Sequence, residues 1–162
     1  MKDKAMKRID TPGGRAMRRF TTALLLESRS ATTLGSMELK MSSVLADWMP
    51  ELVRVKVNRR SVQRAYCFHL FQNAFFSLAR SIKDLEPYFL RCEAAGYDYG
   101  HQRLQVYRLW CALLLTENRR DDAAGYAAEA LRQTQYDLKH KQGDFEDAVE
   151  SAERLLADCA AK

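Results

Sequence analysis

Leu52-Val53-Arg54-Val55-Lys56-Val57-Asn58 alternates apolar and polar residues more cleanly than any other part of this 162-residue chain. Side chains on a β-strand project to opposite faces with period two, so the spacing predicts a strand. Val53, Val55 and Val57 would form its dry face and Arg54, Lys56 and Asn58 its cationic one. The DNA major groove admits a two-stranded β-ribbon, and two copies of the strand paired antiparallel across a two-fold axis would present their polar faces to base edges. Arg54 and Lys56 would then address guanine acceptors, and Asn58 adenine. One strand makes no ribbon, so this reading requires a homodimer. The competing reading is an ordinary edge strand whose arginine and lysine discourage aggregation.

The stretch leads into a helix expected over residues 59–82, where Arg59 and Arg60 are placed for phosphates at a helix N-terminus. Tyr66, Phe68, Leu70, Phe71, Phe75, Phe76, Leu78 and Ile82 occupy more than one stripe of it. A helix that apolar needs cover on most sides, either from its own chain or from a second copy. Upstream, Ser42 to Met49 reads as a short N-capped helix stopped by Pro50, since proline disfavours helical geometry in the residue before it. Arg19 to Leu26 fits a strand or the start of a helix equally well. Residues 1–18 contain the turn sequence Thr11-Pro12-Gly13-Gly14 and read as a flexible basic arm whose Lys2, Lys4, Lys7, Arg8, Arg15 and Arg18, together with Arg19, would track phosphates. Residues 19–162 are expected to form one mainly helical domain.

The C-terminal half has the spacing of successive helices. They are expected from Leu85 to about Ala95, ended by Gly96; from His101 to Thr116, with Asn118 as a stop; and from Asp121 and Asp122, which suit a helix N-terminus, to about Lys141. After an interruption at Gly143, Asp144 is expected to cap a last helix. The run Gly143 to Ala148 has the small-residue pattern of one helix of a tetratricopeptide repeat. Its counterpart at Asn118 to Ala123 lies 25 residues upstream, short of the ~34 of such repeats, and so marks a helical hairpin only.

Hydrophobic residues at 47% and charged residues at 29% are those of a globular chain. Cys67, Cys92, Cys111 and Cys159 show no CxxC spacing and sit within apolar helical patterns, as reduced core thiols do. No secretory signal pattern opens the chain and no apolar run is long enough to span a membrane, which points to the cytoplasm. Residues 1–81 carry 15 Lys and Arg against 6 Asp and Glu, whereas residues 82–162 carry 11 against 15, so the net charge of +5 divides into +9 and −4. Such asymmetry suits contact with a polyanion on one half. Catalysis has little support: His69, His101 and His140 are far apart and none stands at metal-ligand spacing with a Cys, Asp or Glu. No enzyme activity, cofactor or metal is expected.

Glu51-Leu52-Val53-Arg54-Val55, Arg64-Ala65-Tyr66 and Leu78-Ala79-Arg80-Ser81-Ile82, with Leu24 to Arg29 upstream, resemble the AcaB-type transcriptional regulators of conjugative plasmids and the related proteins of integrating conjugative elements. The likeness covers residues 19–110. It implies a ribbon-helix-helix-like homodimer, mainly α with a short β-ribbon and a helical C-terminal extension, that binds operator DNA and activates conjugation genes, with RNA polymerase as a further partner. The first helix here is longer than in simple ribbon-helix-helix proteins. The DNA-binding set is then Arg54, Lys56, Asn58, Arg59, Arg60 and Arg64. The alternative function is a helical adaptor or chaperone-like module that binds another protein through the acidic C-terminal half.

Overall fold

Met37, Met41, Leu45, Trp48 and Leu52 recur at intervals of three and four residues, the period of a helix face. That longer rhythm governs the stretch the alternation predicted as a strand. The computed structural model describes residues 11–97, 100–140 and 146–161. In it the chain forms α1 (Pro12–Ser28), α2 (Leu34–Arg54), α3 (Arg59–Asn73), a π-helical segment (Ala74–Leu78), α4 (Ile82–Ala95), α5 (Gly100–Thr116), α6 (Arg120–His140) and α7 (Glu146–Ala160). Among the described residues there is no strand, and so no β-ribbon.

Leu52, Val53 and Arg54 are the last turn of α2. Leu52 is wholly buried, while Val53 is 48% exposed, the reverse of a shared apolar face with Val55 and Val57. Beyond Arg54 the N–H of Val57 donates to the carbonyl of Leu52 and that of Lys56 to Val53, both at 3.0 Å, with Lys56 at φ 61°. This is a Schellman ending, which satisfies carbonyls left over at a helix C-terminus. The alternating stretch is therefore a helix stop followed by a helix start. Asn58 begins α3, its side chain accepting from the N–H of Arg60 at 2.8 Å.

Helix α2 starts well before Ser42. Thr33 accepts from the N–H of Ser36, and Ser36 returns a bond to the Thr33 backbone, a reciprocal capping box. Pro50 lies inside the helix rather than ending it. Its ring leaves the carbonyl of Ala46 without an intrahelical donor, and Ala46 and Pro50 are both exposed, so water can serve that carbonyl. Residues 12–18, expected in a flexible arm, belong to α1, which Thr11 caps and Pro12 opens. Arg19 to Leu26 continue that helix, with Ala16, Phe20, Leu24 and Ser28 on its buried face. Lys2, Lys4, Lys7 and Arg8 lie outside the described residues.

The single helix expected over residues 59–82 is broken. Its ladder widens at Ala74–Leu78, where the N–H of Ala79 reaches the carbonyl of Ala74 at 2.6 Å, and Ser81 then caps α4 by accepting from Asp84. Asp84 also accepts from the N–H of Arg80. These short polar side chains offer the backbone an alternative to continued helix. Within one copy Val62, Ala65, Tyr66, Cys67, Phe68, Leu70 and Phe71 of α3 are already buried, so that helix does not need a second chain to cover it.

The C-terminal elements agree with expectation. Gly96, at φ 83°, ends α4. Asn118, at φ 60°, ends α5 with the same pair of backbone bonds as at Lys56. Helix α6 starts with Asp121 and Asp122 in its first turn; the expected interruption at Gly143 and cap at Asp144 lie outside the described residues. Helices α5, α6 and α7 pack together, with Ala123, Ala127, Ala130, Ala148 and Ala152 fully or nearly buried where α6 meets its neighbours. Helices α1 to α4 form the other group. Phe89 of α4 joins the two, stacked on Trp110 of α5 at 4.5 Å with Tyr126 of α6 edge-on to both. All four cysteines are buried and free.

Candidate nucleic-acid interface

Gly13 brings two distant parts of the basic half together. A Cβ at that position would lie 3.4 Å from the Val57 side chain and 3.6 Å from the Val55 carbonyl, so the first turn of α1 sits against the connection between α2 and α3. Two helix N-termini therefore meet at one end of the molecule. Neither first turn holds an acidic residue. Thr11 and Asn58 already take up part of the N–H groups there, and the positive end of the helix dipole favours anions at each.

Cations gather around this end: Arg15, Arg18 and Arg19 on α1, Arg54 closing α2, Lys56 in the turn, and Arg59 and Arg60 opening α3, all exposed. Asp47 and Glu51 oppose them. Glu51 receives two bonds from Arg54, at 2.9 and 2.7 Å, and these, with Arg19 nearby, hold its carboxyl below the ordinary range.

The six residues predicted to touch DNA are thus sorted by the fold. Lys56, Arg59 and Arg60 stand exposed together. Arg54 is beside them but engaged by Glu51. Asn58 spends its side-chain oxygen on capping α3 and is not presented to a base. Arg64 is elsewhere: its Nε donates to the carbonyl of Ala95 at 3.1 Å, and its guanidinium lies against Gly96. There a cation suits the negative C-terminal end of α4, and Arg64 is a clasp between α3 and α4. Arg15, Arg18 and Arg19 were legible as cations but not as an ordered helical row. Trp48, read from the sequence only as part of a short helix, lies beside Arg15, Arg19 and Arg54.

The remaining polar clusters are structural. A recess of about 810 Å³ between α2, α3 and α4 is walled by Leu39, Leu45, Tyr66 and Cys67, and its charges, Glu38 and Arg91, pair with each other. Glu93 accepts from Tyr97 at 2.7 Å and Tyr107 at 2.8 Å, and burial pushes both phenols up. Burial likewise pushes the Cys111 thiol up to about 12. Among the described residues no group of three His, Cys, Asp or Glu side chains is placed to share a metal ion. Nor is any helix there long and apolar enough to cross a membrane.

No protein-family model, curated protein or solved structure matches the chain. The functional reading therefore rests on the residues themselves.

Proposed function

We propose that the protein binds DNA through the phosphate backbone, using the end where α1 and α3 begin. The observation that carries this reading is the convergence of two acid-free helix N-termini with Arg15, Arg19, Lys56, Arg59 and Arg60. Contact with base edges by a ribbon is excluded by the absence of a strand there. Helix α3 is poorly placed to lie along a groove, because from Val62 onward most of its residues are buried and Gln63 is the one fully exposed position, so its first turn is the part best presented. What this end offers is position and attraction rather than base reading. A role in transcription, including activation of transfer genes, draws on the family likeness rather than on this surface. A homodimer would double the cationic end and raise affinity for duplex DNA.

The test is a salt titration of affinity for duplex DNA. Each neutralised phosphate contributes a slope of about −0.9 in log K against log salt. Replacing Arg59 and Arg60 together with Ala should lower the slope by roughly 2 and weaken all duplex sequences alike. Affinity that ignores salt, or a double variant that binds as the wild type does, would sink the proposal. A second reading, a protein-binding adaptor, is favoured by Tyr136 and Leu138, which stand exposed on α6 in the acidic half. It predicts a stable protein complex that survives loss of Arg59 and Arg60.

A further inference from the structure

Trp48 stands between two recesses that open beside the cationic end. One, of about 480 Å³, lies between α1 and α2 and is lined by Arg15, Arg19, Trp48 and Arg54 together with Asp47 and Glu51. The other, of about 360 Å³, is lined by Arg18, Arg19, Ala23, Leu26 and Trp48. Trp48 and Arg19 belong to both. The indole is half-buried, packed against the core along one side. Among the described residues no aromatic ring or guanidinium stacks on it; the cation–π contacts there are Arg91 on Tyr88 and Arg103 on Tyr97. Three guanidiniums face two carboxylates in the larger recess, and the bidentate pair between Arg54 and Glu51 neutralises one of each. Beyond that pair Arg19 and Asp47 share the larger recess, while the second is lined by Arg18 and Arg19 with no acidic residue in its wall.

We infer that this groove seats an unpaired nucleobase of single-stranded DNA, with Trp48 as the stacking surface and Arg18 and Arg19 beside the flanking phosphates. An aromatic face set in a cationic groove is the arrangement by which proteins hold single strands with little sequence preference. A base inside a duplex already has both faces covered by its neighbours, so only an unpaired one can stack on the indole. Continuity favours nucleic acid over an acidic peptide. The larger recess is walled in part by Pro12 and Val55, next to the Gly13–Val57 contact at the phosphate-binding end. The inference rests on the backbone-binding reading of that end and adds to it a preference for unpaired segments.

Indole fluorescence tests it in the full chain. The protein has two tryptophans, and Trp110 is buried in the core, so a quench by ligand reports Trp48. Oligothymidylate of about twelve nucleotides should quench this signal and shield Trp48 from acrylamide, a readout that needs no variant. Trp48→Leu should lose roughly tenfold in affinity for oligothymidylate, the scale of one stacked base, while its duplex affinity stays near the wild-type value. Salt-dependent duplex binding without a quench by oligothymidylate overturns the inference and leaves the backbone reading intact. No binding of either nucleic acid removes both. An equal quench by inorganic polyphosphate, or a quench by polyglutamate but not by oligothymidylate, overturns it as well, because neither polymer carries a base.

Discussion

Lys56 occupies the left-handed region at φ 61°, where a residue with a Cβ pays about 1–2 kcal/mol relative to glycine. It is exposed, so its side chain contributes little packing against that cost. Lys56→Gly should therefore raise the unfolding free energy by about 1 kcal/mol, offset in part by the greater freedom of glycine in the unfolded chain. The same change removes a cation from the proposed interface. Stability measured by urea unfolding and affinity measured for duplex DNA should move in opposite directions, and a parallel loss of both would contradict the assignment of this turn. Asn58 shows why single residues mislead: an amide legible as an adenine reader spends its side-chain oxygen on capping α3.

At the scale of elements, α2 and α3 explain both the failure and the recovery of the sequence reading. Period two over seven residues is satisfied by chance within a helix stop and restart, whereas period 3.6 over Met37 to Leu52 is not. The predicted helix over residues 59–82 failed for a different reason, the local competition from Ser81 and Asp84. Helix α3 also carries a titration. Burial lowers the pKa of His69 from its ordinary value of 6.5. Above about pH 6.5 the ring is neutral in both states. Below that value the unfolded chain takes up the proton first, so stability is lost as pH falls from about 6.5 through the folded pKa. Urea unfolding at about pH 7.5 and 5.5 should show a drop in the wild type that is smaller in His69→Gln. Equal drops in both would assign the pH dependence to other groups.

For the whole molecule, Phe89 is where the α1–α4 group meets α5 and α6, through its stack on Trp110, its tilted contact with Tyr107 and its edge contact with Tyr126. Phe89→Ala should destabilise by about 3–5 kcal/mol, from lost transfer energy and the cavity left behind. Because the joint is shared, the loss should appear as one cooperative transition at lower denaturant, read by far-UV circular dichroism and by tryptophan fluorescence together. Separate transitions by the two probes would mean that the two groups fold independently. The division of charge follows the same layout: the cationic end belongs to α1–α3, and the acidic residues lie mostly on the later helices.

The helices of the C-terminal half, their stops at Gly96 and Asn118 and the burial of the four cysteines were legible in the sequence alone, because each depends on spacing and backbone conformation within one segment. The cationic surplus of the first half was legible for the same reason. Tertiary structure decided what residues 52–58 become, since Leu52 gains more by joining the buried face of α2 than three valines gain on an unpartnered strand. It also decided which cations act together. Gly13 and Val57 touch across more than forty residues of chain, and only that contact brings Arg15 and Arg19 to Lys56, Arg59 and Arg60, and sends Arg64 to a different task.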